Sequence, residues 1–274
     1  MWTPAANPGN IVIVNAQTET LLAALSGIAV GFTLGLVGGG GSILAVPLMV
    51  YVVGVKSPHV AIGTSALAVA ANALVGLFNH ARAHNVTWSC GGAYAAAGVI
   101  GALAGSSLGK AFDGQKLLFL FALLMLVVAA LMFRSRSQQG IEGVTCTRDN
   151  LPKVASFGFG TGVLSGFFGI GGGFLIVPGL VASTAMTTYR AIGTSLVAVS
   201  AFGLTTALNY AVSGLVDWGV AGAFVAGGVA GSLGGTSLAS KLSTSKGLLS
   251  TIFAGMIVLV AAYMLYRSAA AIGA

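Results

Sequence analysis

The chain has 274 residues, 56% of them hydrophobic and only 6% charged, with a mean hydropathy of +0.97. Soluble domains carry roughly 25% charged residues, so a pair of soluble domains is excluded and a bundle of membrane spans, each of about 20 residues, takes its place. The net charge of +7 is not a nucleic-acid footprint, because the basic residues stand singly between apolar runs, where they act as topology signals.

Residues 1–18 hold no Lys or Arg, so the basic start of a cleaved signal is missing and the segment reads as a short retained tail. A first transmembrane repeat follows over 19–133, with spans predicted at 20–37, 59–78, 88–108 and 115–133 and a shorter apolar piece at 42–55. The polar stretch 134–153 is the linker, read as a plain cytoplasmic connector. The second repeat, 154–274, has spans at 154–168, 189–212, 218–238 and 246–266 and its own short piece at 173–185. The halves match residue by residue. Gly35, Gly38, Gly40, Gly41, Leu44, Val46 and Pro47 meet Gly166, Gly169, Gly171, Gly172, Leu175, Val177 and Pro178 at an offset of 131. At an offset of 130, Ala61-Ile62-Gly63-Thr64-Ser65 then matches Ala191-Ile192-Gly193-Thr194-Ser195, and Asn79 and Trp88 match Asn209 and Trp218.

The short pieces either cross as broken half-helices, five segments per half, or re-enter. Crossing puts eight of the twelve basic residues on one side (Arg82, Arg134, Arg136, Arg148, Lys153, Arg190, Lys241, Lys246) against Lys56, Lys110, Lys116 and Arg267, whereas re-entry splits them evenly. The positive-inside rule therefore favours an all-α membrane fold of two inverted five-segment repeats, with both termini outside the cytoplasm.

No Asp, Glu, Lys or Arg falls in the middle of a predicted span, so the intramembrane acid of a proton relay is missing. Small polar groups and backbone remain. A glycine run that opens a short helix leaves that helix's first N–H groups without intrahelical partners, at the positive end of its dipole, and this favours an anion. Those starts are Gly38, Gly39, Gly40, Gly41 and Ser42 in the first half and Gly169, Gly171, Gly172 and Gly173 in the second. They are expected to converge near the midplane, with positive φ. Gly31, Gly35, Gly101 and Gly105 are better explained by helix packing. Thr64, Ser65, Thr194 and Ser195 offer hydroxyls to an oxyanion or bond back to their own helices. Asn79 and Asn209 close the same helices as ligands or caps, and His80, Arg82, His84 and Arg190 could draw anions to a vestibule. Cys90 and Cys146 are too few and too far apart for a disulfide framework or a zinc site and read as packing or loop residues. Hydrolase, metalloprotease and P-loop motifs are missing, so an enzyme is not expected, nor a metal or cofactor.

The segments GLVGGGGSILAVPLMV and GFFGIGGGFLIVPGLV, each followed by AIGTS, resemble the sulfite exporter TauE/SafE family over nearly the whole chain. The resemblance implies a permease of the bacterial cytoplasmic membrane that moves sulfur-containing anions such as sulfite or sulfoacetate, usually outward. Relatives that take up thiosulfate line their path with cysteines, whereas here Cys90 alone lies in a span and Val220 stands at its repeat position. A passive anion channel and a non-transporting scaffold are the rival readings. The expected partners are the small anion and the bilayer, with no nucleic acid; a homo-oligomer is compatible with all of this.

Overall fold

The computed structural model describes residues 16–134, 141, 144, 146–148, 150–241, 255 and 257–267. Most of the terminal tail, half of the linker and the start of the last expected span fall outside them. The described residues are all helical apart from turns and one isolated bridge between Ile141 and Met186. Helix α1 (Ala16–Val37) continues into a 3-10 turn (Gly38–Leu44), α2 (Ala45–Leu48) and a π turn (Met49–Val53). Next come α3 (Pro58–Arg82), α4 (Trp88–Ala111) and α5 (Gly114–Arg134); after the linker lie α6 (Leu151–Phe168), α7 (Gly173–Thr184), α8 (Thr188–Val212) and α9 (Trp218–Lys241). A last short helix, α10, covers Ile257–Arg267.

Local chemistry explains the boundaries. Ser57 caps α3 by accepting the Val60 N–H at 3.4 Å, and Pro58 occupies the first turn, where no N–H is needed. Pro47 withdraws a donor from the helix that begins after the first glycine run, and the next turn widens to π. Gly169 ends α6 in the left-handed conformation, φ 66°. At 12 residues α7 reaches about 18 Å, against about 30 Å of hydrocarbon.

Among the described residues, five helices (α1, α3, α4, α8 and α9) are long and apolar enough to cross a membrane. In α3 and α8, 67% of the apolar window is buried, against 39–44% in the other three, so these two form the centre and the rest surround them. Two glycine stripes hold the surround. Gly27, Gly31 and Gly35 of α1 lie on the backbone of Phe224, Gly228 and Ser232 in α9, and Gly158, Gly162 and Gly166 of α6 lie on Tyr94, Gly98 and Ala102 in α4. Each half thus lends its first helix to the fourth helix of the other half, and the packing reading of Gly31, Gly35, Gly101 and Gly105 is correct.

The same contacts give the directions. Ascending numbers face ascending numbers, so α1 runs parallel to α9 and α6 parallel to α4. Thr64 near the start of α3 bonds to Asp217 after the end of α8, and Thr194 near the start of α8 bonds to Thr87 after the end of α3, so these two are antiparallel. Asn72 lies against Gly228 as Thr64 lies against Asp217, so α3 also follows α9. Helices α1 and α3 therefore point the same way, and residues 38–57 carry the chain back from one end of the bundle to the other. Residues 169–187 do the same between α6 and α8.

One expectation fails here. Cys90 and Cys146 form a disulfide, with Cα atoms 5.1 Å apart. Their sequence separation of 56 hid the fact that α4 and α6, which they precede or open, are parallel neighbours.

Candidate functional site

The break between α6 and α7 lies at the centre of the molecule. Gly169, Gly171 and Gly172 all adopt positive φ, 63–66°, a conformation open to glycine at little steric cost. Position Gly171 faces Val69 of α3 and Val199 of α8, with distances from an added Cβ of 2.8 and 3.3 Å. Val69 and Val199 are equivalent positions of the sequence repeat, so the turn touches the same position of both central helices. All residues from Gly169 to Phe174 are buried. The first N–H groups of α7 that meet a carbonyl are those of Leu175 and Ile176, both on the Gly172 oxygen at 2.9 and 3.0 Å. Those of Gly173 and Phe174 have no recorded partner among the described residues. Beside them is Ser165, whose buried hydroxyl also has no partner among the described residues and which a methyl on Gly172 would meet at 2.6 Å. This is a small, uncharged donor cluster at a helix start, the chemistry that suits an oxyanion.

The first half is built differently. Residues Gly38–Leu44 instead form a 3-10 helix that continues α1, and Gly41 does not take the positive φ of the second half's turn, which corrects the expectation of two like glycine turns. Gly41 is pressed on the Leu34 backbone, and Ser42 is buried and has a partner. The turn does pack against α7, so the two broken segments meet.

The threonines do not join them. Thr64 Oγ1 accepts the Asp217 N–H at 2.9 Å, and Thr194 Oγ1 accepts the Thr87 N–H at 3.0 Å. Each lies five residues from the central valine, on opposite sides, which separates them by about 15 Å along the antiparallel pair. Their recorded role is to fasten the head of one central helix to the turn that opens α9 or α4. The isosteric variants Thr64→Val and Thr194→Val are therefore expected to lower stability by about 0.5–1.5 kcal/mol each, by removing a part-buried hydrogen bond. Transport per folded molecule should stay constant; a selective loss of transport, measured beside thermal unfolding in detergent, would return these hydroxyls to the substrate. Ser65 and Ser195 bond back to Ile62 and Ile192 carbonyls at 3.0 and 2.7 Å, the self-satisfied alternative.

Asn209 is engaged at one end of the bundle. Its amide donates to Ser106 and Ser107 at 2.6 and 3.1 Å, and its carbonyl oxygen accepts Lys110 Nζ at 2.9 Å. Lys110 also holds the Asn209 main-chain oxygen and Ser213, at 3.0 and 2.9 Å. Sequence reading took Lys110 only as a topology marker; its place at the carbonyl end of α4 gives it a structural task. Asn79 is half-buried at the opposite end. There His80 is buried 3.1 Å from the Asn85 amide, which donates to the Tyr189 carbonyl at 2.9 Å. Arg82 covers the Phe78 ring at 4.3 Å, and Arg190 stands in the first turn of α8. His80, Arg82 and Arg190 thus share one rim, removed from the central turn.

Residues missed from sequence include Ser165 and Asn72. Asn72 is wholly buried in α3 with both amide atoms unpartnered among the described residues. Neither is repeated in the other half, where Leu34 and Phe202 stand, so a search by symmetry passes over them. The one available signal was a Ser four residues before the glycine run.

Comparison with known proteins points to a family of membrane transporters. The family model described as Sulfite exporter TauE/SafE matches residues 23–264. A probable membrane transporter protein of Xylella fastidiosa strain 9a5c is 51% identical over 245 residues, covering 89% of this chain and 94% of its own length. Another, from Methanocaldococcus jannaschii, is 30% identical over 200 residues, 68% of this chain and 71% of that protein. A third, from Bacillus subtilis, is 27% identical over 239 residues, 80% and 88% of the two chains. No solved structure matches.

Proposed function

The chain belongs to the sulfite exporter TauE/SafE family, and from that premise we propose that it is a secondary transporter exporting small sulfur-containing oxyanions, sulfite or an organosulfonate such as sulfoacetate, across the cytoplasmic membrane. The observation that carries this reading is the left-handed glycine turn at the head of α7, buried at the α3/α8 crossing beside Ser165. An oxyanion there would be held by backbone N–H groups and a hydroxyl, with no fixed cation to trap it, so release remains easy on either side. The directions of the helices support two inverted repeats of five segments, the arrangement that lets one half rock against the other around a central site. The eight-to-four distribution of basic residues supports a cytoplasmic linker and termini on the far side.

Flux in proteoliposomes tests this, comparing sulfite, sulfoacetate, taurine, thiosulfate and sulfate. Saturable flux of sulfite or sulfoacetate, lost in Ser165→Leu, is the expected result. Current without saturation would make the protein a channel, and flux of thiosulfate alone would reassign the substrate.

A further inference from the structure

The two cysteines and the linker form a device that transport by the central site does not require. Cys90 is wholly buried in the first turn of α4, next to Gly91, which packs on Thr194 and Val197 of α8. Its disulfide partner Cys146 is half-buried in the linker, just before the Thr147 and Asn150 contacts that open α6. A second anchor lies upstream, where Ile141 N–H donates to the Ala185 carbonyl at 2.8 Å and pairs with Met186. Ala185 is the left-handed residue that ends α7, φ 59°. Two linker residues are thus pinned at the end of the bundle where α8 starts, Ile141 to the α7–α8 corner and Cys146 to the head of α4. Helix α7 carries the glycine turn. Any movement of its far end works against this strap while both anchors hold. The other half has no counterpart, since Val220 replaces Cys90, so the lock acts on one face only.

We propose that Cys90 and Cys146 are a redox modification site that tightens the linker over the α7–α8 corner when oxidised and frees it when reduced. This rests on the orientation proposed above, which puts the pair in the cytoplasm, a compartment where disulfides are transient and redox-responsive rather than permanent. Cys90 is enclosed, so the attacked atom is Cys146 Sγ. A thiolate of a cellular dithiol of the thioredoxin class bonds to it, and Cys90 leaves as a thiolate and takes a proton. The second thiol of the reductant then displaces Cys146, so the dithiol ends as a disulfide and the protein as two thiols.

The test uses the purified full-length protein with and without dithiothreitol, beside Cys146→Ser. Trypsin cleavage at the linker's basic residues, among them the exposed Arg148, should accelerate about five-fold or more on reduction, the lower range of a coupling free energy. Cys146→Ser should be cut at the fast rate without reductant. Sulfite efflux from proteoliposomes should rise by a similar factor in the wild type and not respond in the variant. Unchanged cleavage in protein whose thiols are shown to be free would overturn the strap. Labelling of reduced Cys146 by an impermeant maleimide in intact cells would overturn the cytoplasmic switch. Redox-dependent cleavage without sulfite flux in any variant would uphold the strap and reject the substrate instead.

Discussion

Gly31→Ala and Gly162→Ala are expected to remove most of the folded protein, while Gly92→Ala and Gly222→Ala leave it intact. A methyl at Gly31 overlaps the Gly228 carbonyl, and one at Gly162 overlaps the Gly98 carbonyl. Backbone cannot rotate away as a side chain can. The helix axes must separate, and every other contact along the stripe loosens with them. Overpacking typically costs about 1–3 kcal/mol, occasionally more, and these contacts are at the upper end because no rotamer relieves them. In lipid no hydrophobic force between helices offsets the lost fit. Gly92 and Gly222 are repeat equivalents with nothing within 4 Å of an added Cβ, so they report the effect of alanine alone. Folded yield and thermal unfolding in detergent check all four. A stable Gly31→Ala would mean that α1 and α9 do not pack as described.

Gly172→Ala is expected to fold and to lose transport about ten-fold or more. Here φ is 66° and the new methyl meets the Ser165 side chain, not backbone. A strained left-handed residue costs of order 1–3 kcal/mol, and tenfold in rate corresponds to about 1.4 kcal/mol. Adding Ser165→Gly removes the clash but leaves the backbone strain and takes away the hydroxyl donor. The double variant should therefore regain part of any lost stability while transport stays low. Gly41→Ala is not an equivalent probe, since its methyl meets the Leu34 backbone and damages packing first. Full transport per folded molecule in Gly172→Ala, with substrate affinity unchanged, would remove the α7 turn from the site.

Much of the architecture was readable from residue types. The central helices, 58–82 and 188–212, and the pair 88–111 and 218–241 are related by 130 residues at both ends, as AIGTS and the tryptophans require. Trp88 and Trp218 are both exposed, as aromatic residues at membrane interfaces are. The glycine stripes were readable as packing faces. The site was less legible. Gly169, Gly171 and Gly172 take the positive φ expected of them, whereas Gly38 to Gly41 share their composition and lie in a 3-10 helix. A run of glycines permits positive φ but does not require it, and contact with Leu34 selects the tighter turn in the first half.

What the sequence by itself determined is whatever depends on near neighbours: apolar length, helix punctuation by Ser57, Pro58 and Gly169, the repeat and the small-residue faces. These follow from 3.6-residue periodicity and from the few conformations that glycine and proline allow or forbid. The tertiary structure alone decided which faces meet. It set α1 on α9 and α6 on α4, engaged Thr64 and Thr194 as acceptors, recruited Lys110 to Asn209, and joined Cys90 to Cys146. Such contacts link residues from 56 to more than 150 positions apart, and no local pattern names the partner. The choice falls to shape complementarity between whole helices, which in lipid rests on close packing and satisfied polar groups rather than on hydrophobicity.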